Sequence, residues 1–388
     1  MYRYSGILTK NEINMRFTLS STALSSSLSQ LARVINSKNS LAILDCILFQ
    51  IHDGQLVLTA SDSENTMKTS LQLDEYEGEA DICIPSRTIL DSVKELPEQP
   101  LTFEVNTADY TIQVSYQNGV YHFTGVDAQD YPMTQPLSDE STIVTMDSAV
   151  LYNNINRSLF ATAQEELHPV MNGIYFDMTE ECVSIVATDG KKLVRNKNFT
   201  VKVETPSSFI LPKKPATLLK NVLTKETGEV IIKFDSRSAV ISFPDGVLVC
   251  RLLDGRYPKY NSVIPKNNPN QLTVDRRTLL SALRRVLPFA SESSQLVRLH
   301  TEIGKLEVSS EDIDFSTSAK ENITCEYVGI PMSIGFKGSS LTDILGSLDS
   351  DEVVIELADP SRAGVVVPAV QPENEEVLML IMPVLLND

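Results

Sequence analysis

Residues 272–291, LTVDRRTLLSALRRVLPFAS, share a pattern with two earlier stretches of the chain. These are residues 17–35, FTLSSTALSSSLSQLARVI, and residues 144–163, VTMDSAVLYNNINRSLFATA. Each has a threonine early on, and then leucines or an isoleucine at matched positions. The three threonines are 127 and 128 residues apart, at Thr18, Thr145 and Thr273. A shared period of this length predicts three copies of one domain.

Two further landmarks recur at nearly the same period. One is a helical pattern that ends on a leucine, at Leu96, Leu223 and Leu348. The other is an aromatic residue or methionine before proline, at Tyr131, Tyr257 and Met382. Each copy is predicted to hold two helices and about eight antiparallel strands, which is an α+β fold. The first helix of each copy is preceded by a possible N-cap residue. The N-cap candidates are Ser20, Asp147 and Asp275.

Polar, turn-rich segments mark the expected domain boundaries. The predicted domains are residues 15–139, 140–268 and 269–388, the last of which carries a C-terminal tail. Residues 1–14 precede the periodic pattern, and we expect a disordered N-terminal extension there.

The composition excludes several classes of protein. Hydrophobic residues make up 42% and charged residues 22%, which is typical of a globular chain. No apolar run reaches the roughly 18 residues that span a membrane. The five cysteines are far apart and contain no C-x-x-C pair, which favours a reducing cytoplasm over a disulfide framework. The four histidines are scattered, so no metal site, no cofactor and no catalytic motif is predicted.

The stretch VATDGKKLVRNKN, residues 186–198, places a glycine before two lysines, as a phosphate-binding loop does. A P-loop needs a second glycine five residues earlier, where this chain has Ile185, and a Ser or Thr after the lysine, where it has Lys192. Asp-Gly between alternating flanks instead predicts a turn between two strands.

Charge is strongly segregated along the chain. The net charge is −18, yet the six predicted helices together carry +9, which leaves −27 on the remainder. Those helices cover residues 22–38, 86–97, 149–163, 213–225, 277–291 and 337–350. Basic residues on one class of element in all three copies predict a surface that faces a polyanion without reading sequence. From charge and helical placement, the candidate DNA-binding residues are Arg33, Arg157, Lys213, Lys214, Lys220 and Arg284.

The repeat, together with ATDGKKL, LLDGRYPKYNSVIP and LMLIMPVLL, resembles the bacterial DNA sliding clamps, the β subunits of DNA polymerase III. The resemblance runs from Met15 to Leu386. It implies three clamp-type domains, each with two helices packed on antiparallel sheets, and a head-to-tail homodimeric ring around duplex DNA. It further implies a processivity factor that is not an enzyme and that tethers the replicative polymerase, the clamp loader, and repair polymerases and other proteins with clamp-binding motifs.

The resemblance also implies site residues. Lys38 corresponds to a basic position that touches the duplex, and Tyr121 and Phe123 are expected to meet Pro288 and Phe289 of the other chain. The implied peptide pocket comprises Met171, Thr188, Gly190, Lys191, Lys192, Leu193, Pro258, Val263, Ser294, Leu380, Ile381, Met382, Pro383, Val384, Leu385 and Leu386. Departures from the family pattern leave the preferred partner motif open, at His168, Ser262, Ser294, Lys337, Ser340, Asn387 and Asp388.

Two alternatives remain on sequence grounds. One is a repeat-built scaffold that binds proteins without encircling DNA, against which the basic helices argue. The other is a hydrolase that uses scattered carboxylates such as Asp62 and Asp189. These two acids lie one repeat apart, so they are expected at matching turns of different domains rather than in one site.

Overall fold

The computed structural model describes residues 15–164, 167–224 and 226–386. The predicted extension at residues 1–14 and the terminal pair Asn387 and Asp388 lie outside the described residues. The described helices, two in each repeat, are α1 Ser21–Leu31, α2 Ser86–Val93, α3 Ser148–Ser158, α4 Lys213–Leu223, α5 Arg276–Val286 and α6 Gly338–Ser347. None of these helices is long and apolar enough to cross a membrane.

Strands make up most of the remaining regular structure. The first repeat has β1 Met15–Ser20, β2 Cys46–His52, β3 Gln55–Ser61, β4 Asn65–Gln72, β5 Glu75–Glu77, β6 Asp81–Pro85, β7 Pro100–Asn106, β8 Thr111–Tyr116, β9 Gly119–Thr124 and β10 Val126–Asp127. The second has β11 Thr142–Asp147, β12 Gly173–Met178, β13 Val183–Thr188, β14 Lys192–Asn198, β15 Ser207–Pro212, β16 Glu229–Phe234, β17 Ser238–Phe243 and β18 Gly246–Arg251. The third has β19 Asn270–Asp275, β20 Leu296–Glu302, β21 Lys305–Asp312, β22 Thr317–Thr324, β23 Glu326–Val328, β24 Met332–Lys337, β25 Glu352–Leu357, β26 Gly364–Pro368 and β27 Glu375–Ile381.

The first helix of each repeat begins at the predicted N-cap. The Ser20 hydroxyl accepts a hydrogen bond from the Ala23 amide at 3.1 Å. Asp147 accepts from the Ala149 amide at 2.8 Å, and Asp275 accepts from the Thr278 amide at 2.7 Å. These bonds satisfy amides that have no partner within the helix, which fixes the same helix start three times. The N-cap prediction is confirmed.

The predicted helices extend too far at their C-termini. Helix α1 ends at Leu31, so Arg33 and Lys38 follow the helix instead of lying on it. Helix α5 ends at Val286 and passes into a 3₁₀ turn over Leu287–Phe289. Pro288 has no amide proton to continue the α-helical ladder there.

The described chain forms two compact units. The first contains residues up to 143 together with 221–251. It holds a five-stranded sheet in the order β5-β1-β7-β8-β9 and a longer sheet that runs β10-β6-β2-β3-β4-β18-β17-β16. In the longer sheet β4 of the first repeat pairs antiparallel with β18, the last strand of the second repeat.

The second unit contains residues 144–220 together with those from 252 onward. Its larger sheet runs β15-β12-β13-β14-β27-β26-β25-β19-β23, and a four-stranded sheet runs β22-β21-β20-β24. Here β14 of the second repeat pairs antiparallel with β27, the last strand of the third repeat. In both units a strand from one repeat thus completes the sheet of the repeat before it.

A buried ion pair ties helix α3 to strand β27 in the second unit. The Arg157 guanidinium lies 2.5 Å from the Glu375 carboxylate, and the two side chains are 7% and 8% exposed. Glu375 also accepts a hydrogen bond from Asn154 at 3.0 Å. Removing one partner of such a pair leaves a buried charge without compensation, which costs more than the intact pair contributes.

We expect Glu375→Ala to lower the free energy of unfolding by about 3–5 kcal/mol, because it leaves the Arg157 charge buried without its carboxylate partner. Urea-induced unfolding followed by circular dichroism measures the loss. Glu302→Ala is the control, since Glu302 pairs with His300 at the surface and contributes about 1 kcal/mol or less. Equal losses of unfolding free energy in the two variants would contradict a stabilising role for the buried pair of Arg157 and Glu375.

Candidate functional site

The stretch that resembled a phosphate loop is a tight turn between β13 and β14, as predicted. We call residues 188–192 the second-repeat turn. The Asp189 carboxylate accepts hydrogen bonds from the Lys191 and Lys192 amides, each at 2.9 Å, and from the Lys192 ammonium at 2.6 Å. The Thr188 hydroxyl accepts from the Gly190 amide and donates to the Lys192 carbonyl. Gly190 has a φ of +84°, a left-handed conformation that glycine adopts without strain.

The electrostatics of this turn leave one lysine available. Burial by itself would raise the pKa of Asp189, but the hydrogen bonds from Lys192 and from the two amides outweigh it and lower the pKa below its usual range. The Lys192 side chain is only 13% exposed and is held by this ion pair. Lys191 is exposed to solvent. Of the two lysines, Lys191 is therefore the one placed to meet a ligand.

An apolar cluster, which we call the floor, lies next to this turn. Its seven buried residues are Val186, Leu193, Ile210, Tyr257, Tyr260, Ala363 and Leu380. The Tyr257 ring stacks on Tyr175 with centroids 4.6 Å apart. Val170 and Ile264 pack against the floor from its edge. Such a cluster suits the anchoring of apolar side chains.

The connecting loop, residues 252–264, is fastened across this floor by polar contacts. The Tyr260 hydroxyl donates to Asp177 at 2.7 Å, and burial followed by this bond raises the pKa of Tyr260 to about 12. Arg195 donates to the Asn261 side chain at 3.2 Å and also pairs with Glu376. Glu376 therefore holds the loop through Arg195, while its neighbour Glu375 holds helix α3.

The C-terminal tail leaves β27 beside the second-repeat turn. Leu380 pairs with Leu193, and the Met382 amide donates to the Lys191 carbonyl at 2.8 Å. Farther on, the Val384 amide donates to the Gly335 carbonyl on β24 at 2.8 Å. A Cβ on Gly335 would lie 2.6 Å from the Val384 carbonyl oxygen, so glycine permits this close approach.

Two clefts open beside these elements. The first, of about 720 Å³, lies against the connecting loop and is lined by Tyr175, Asp177, Ser208 and residues 255–262. The second, of about 600 Å³, lies where the tail ends and includes Ser294, Leu296, Leu385 and Leu386. Sequence reasoning missed Asp177, Arg195 and Glu376, because single polar residues on alternating strands form no recognisable motif.

Most of the predicted pocket residues lie at or near the second-repeat turn and the floor, and three of them line the second cleft. Thr188 to Leu193 and Leu380 to Met382 come together at the turn and the floor, and Pro258 lies in the connecting loop. Met171 belongs to a 3₁₀ turn, Pro169–Asn172, whose Val170 packs on the floor. Val263 is 58% exposed, and its neighbour Ile264 makes the contact with the floor. Ser294, Leu385 and Leu386 line the second cleft.

The candidate DNA-binding residues need one correction. Arg157 is buried and committed to Glu375, so it cannot reach a phosphate group. The sequence could not reveal this, because the partner lies 218 residues away along the chain. Arg33, Lys38 and Arg284 are exposed, and the lysines of helix α4 are half-buried.

The candidate dimer residues lie on accessible elements. Tyr121 and Phe123 are half-buried on β9, an edge strand, and Tyr121 packs against Tyr116 with ring centroids 4.9 Å apart. Phe289 is 40% exposed next to the end of helix α5, and Pro288 is exposed beside it.

The acids of the hydrolase alternative are occupied in turns. Asp62 accepts hydrogen bonds from the Glu64 and Asn65 amides, as Asp189 accepts from the amides of its own turn. Each carboxylate therefore holds a backbone turn, which is a structural role.

Comparison with known families decides the identity of the fold. Three models of the DNA polymerase III beta subunit match in succession: its N-terminal domain over residues 15–135, its central domain over 145–259 and its C-terminal domain over 261–385. The chain belongs to the DNA polymerase III beta subunit family. The expected fold class, three clamp-type α+β domains, is confirmed.

Individual relatives cover nearly the whole chain. The beta sliding clamp of Pseudomonas putida is 26% identical over 366 residues, which is 94% of this chain and 99% of the relative. That of Synechococcus elongatus is 27% identical over 384 residues, 96% of this chain and 100% of the relative. The solved clamp of Bartonella birtlesii bound to griselimycin is 27% identical, with a TM-score of 0.87, and covers 96% of this chain and 100% of its own. The clamp of Pseudomonas aeruginosa bound to griselimycin shares the fold at a TM-score of 0.89 and 24% identity over the same shares.

We expect Asp189→Ala to open the second-repeat turn, because three hydrogen bonds lose their charged acceptor, each contributing about 1.5–3 kcal/mol. The Lys191 and Lys192 amides should exchange with solvent at least tenfold faster by hydrogen-exchange NMR. Because the pKa of Asp189 is lower in the folded chain than in the unfolded one, this protection persists at neutral pH and is lost only as pH falls through the folded-state pKa.

Asp62→Ala is the matched control, since it removes the equivalent carboxylate from a different turn. It should leave the exchange of Lys191 and Lys192 unchanged. Undiminished protection of these two amides in Asp189→Ala would show that the carboxylate does not hold the turn.

Proposed function

We propose that this protein is a DNA polymerase processivity factor, a homodimeric ring that encircles duplex DNA and slides without sequence specificity. The observation that carries the proposal is a pairing rule within the chain. Strand β4 pairs with β18, and β14 pairs with β27, so each repeat lends its last strand to the repeat before it. Applied once more between two chains, the same rule closes a ring.

The third repeat has an equivalent strand, which can pair with the last strand of a repeat in a second chain. Strand β22 holds the position of β4 and β14 in its repeat, and it forms the edge of its sheet. Strand β9 holds the position of β18 and β27, and it also forms an edge. An open edge presents unpaired amides and carbonyls that another strand can satisfy. We therefore pair β22 with β9 of a second copy, which gives a head-to-tail dimer of six repeats.

The internal pairs also supply the register of this contact. In the first unit Asn65 pairs with Cys250. The hairpins Tyr116 to Gly119 and Phe243 to Gly246 match, so Phe123 stands where Cys250 does. Carried over, the register sets Tyr121 opposite Ala319 of the partner subunit. Phe289 and Pro288, beside β22, then face the two aromatic residues.

DNA contact is assigned to cations near the helices. Arg33, Lys38 and Arg284 are exposed, and Lys213, Lys214 and Lys220 add charge along α4. Lysine and arginine that contact phosphates without reading bases hold DNA weakly and let it slide. Retention then comes from topological enclosure, so the ring needs no strong contact and no catalytic step.

The turn and the floor form the proposed tether for partners. A short peptide places apolar side chains on the floor while Lys191 meets its acidic or carbonyl groups. The partners assigned to this site are the replicative polymerase, the clamp loader, repair polymerases and other proteins with clamp-binding motifs. Two solved relatives are bound to griselimycin, and we propose that this compound occupies the turn and floor in this chain. The compartment is the cytoplasm, in contact with the chromosome.

We expect a loaded ring to stay on nicked circular DNA and to run off the same DNA after linearisation. A gel-filtration assay with a clamp loader compares the two forms. Equal retention on both would contradict encirclement.

The exposed cations should set the salt dependence of binding to open DNA. Arg33→Ala/Lys38→Ala/Arg284→Ala should flatten the slope of log affinity against log salt by up to about 2.7 per chain, at about 0.9 for each phosphate contact. Arg251→Ala/Lys305→Ala/Arg362→Ala removes the same charge from exposed strand and loop positions and should leave the slope nearly unchanged.

The dimer register is tested by cross-linking. Tyr121→Cys/Ala319→Cys should form an oxidised species near twice 42.9 kDa, because the two thiols face each other across the subunit contact. Tyr121→Cys/Asn322→Cys displaces the second thiol by three residues and is the control. A monomer at all concentrations by light scattering would contradict the dimer itself.

A further inference from the structure

The first repeat contains a second copy of the turn that borders the proposed peptide site. We call residues 61–65 the first-repeat turn. Asp62 accepts hydrogen bonds from the Glu64 and Asn65 amides at 3.0 and 2.7 Å, in the pattern of Asp189 with Lys191 and Lys192. The Ser61 hydroxyl accepts from the Ser63 amide and donates to the Asn65 carbonyl, as Thr188 does in the second repeat.

The backbone conformation matches as well. Ser63 has a φ of +78°, close to the +84° of Gly190. A serine adopts this left-handed region at a cost that glycine does not incur, so the turn keeps its shape against the preference of its residue.

The surroundings of the two turns also correspond. The Arg251 amide donates to the Glu64 carbonyl at 2.9 Å, where the Met382 amide donates to the Lys191 carbonyl at 2.8 Å. Tyr131 is buried beside the first-repeat turn and donates to the Thr59 carbonyl. By the repeat spacing, Tyr131 corresponds to Tyr257 of the floor.

What differs is the chemistry of the floor. The positions of Val186 and Leu193 are held by Thr59 and Thr66, and that of Ile210 is held by Cys83. The Thr66 hydroxyl bonds to Ser61 at 2.9 Å, while the buried Thr59 hydroxyl has no hydrogen-bond partner among the described residues. Apolar side chains laid on such a surface gain less burial and leave polar groups without water.

The side chains at the edge of the floor, which we call the rim, and the open volume beside it also make the first repeat less suited to an apolar ligand. Glu64 replaces Lys191 and Arg251 replaces Met382, and these two side chains pair at 3.5 Å. The space under the loop that carries Tyr131 and Met133 is only about 10 Å³. Its second-repeat counterpart, against the connecting loop, is the cleft of about 720 Å³.

We infer that the first repeat holds a silent copy of the docking site, and that the residues of the floor and rim, not the turn, decide where a partner peptide binds. The inference rests on the proposed function of the second-repeat site. Leu193, Val186, Lys191 and Met382 are its specificity-determining residues, and Thr66, Thr59, Glu64 and Arg251 silence the first-repeat copy. Each chain therefore binds one apolar-anchored peptide although it builds the hydrogen-bonded scaffold twice.

Griselimycin titrated into the full-length protein by calorimetry tests this. The wild type should take one equivalent per chain, and Leu193→Thr should weaken binding at least tenfold because it gives the floor the character of the silent copy. Leu193→Ile keeps the apolar surface and should bind within about threefold of the wild type. Thr59→Val/Glu64→Lys/Thr66→Leu/Arg251→Met should take two equivalents per chain, whereas the control Ser70→Leu, on the same strand, should take one.

The other possible outcomes would each contradict one part of the inference. Two equivalents in the wild type would show that the first-repeat copy is not silent. Unchanged binding by Leu193→Thr would overturn the role of the floor. One equivalent in the fourfold variant with an unaltered circular dichroism spectrum would overturn the assignment of silencing to those four side chains and transfer it to the closed space under the Tyr131 loop. No binding by the wild type would reject the docking site itself, and the DNA-retention and cross-linking results would show whether the ring stands without it.

Discussion

Antiparallel pairing between a strand of one repeat and the last strand of the next determines how the sheets, and the proposed peptide site, are assembled. Strands β4 and β14 are each completed by a strand from the following repeat, β18 and β27. A backbone ladder has many hydrogen bonds and one correct register, so each of these two strand pairs is held in a fixed position within its unit. The compact units of the chain consequently cut across the repeats.

The same ladder places the proposed peptide site. Strand β27 begins at Glu375 and Glu376, which face opposite sides because side chains alternate along a strand. Glu375 holds helix α3 through Arg157, and Glu376 holds the connecting loop through Arg195. At its other end the strand delivers Leu380 to the floor and Met382 to the second-repeat turn. Polar anchors at one end of the ladder thus position apolar contacts at the other.

The comparison of the first and second repeats separates scaffold from specificity. Both build the same turn from an aspartate, a hydroxyl residue and a left-handed position. Both also have an apolar cluster nearby, but the second repeat places Val186, Leu193 and Ile210 where the first has Thr59, Thr66 and Cys83. Hydrogen bonds fix the shape of a turn locally, whereas binding an apolar group needs a large dry surface, and the two requirements can diverge independently in repeated domains.

The threefold repeat, the α+β class, the three helix N-caps and the turn at Gly190 could all be predicted from the amino-acid sequence, because each is set by local spacing and local hydrogen bonds. Sequence reasoning also separated basic helices from an acidic remainder, but it misjudged Arg157 and the ends of the helices. Tertiary structure alone decided that Arg157 is buried against Glu375, that Asp177, Arg195 and Glu376 fasten the connecting loop, and that Ser294 lies with Leu385 instead of at the turn. The physical reason is that these contacts join residues far apart along the chain, and burial of a charge depends on a partner that no local pattern announces.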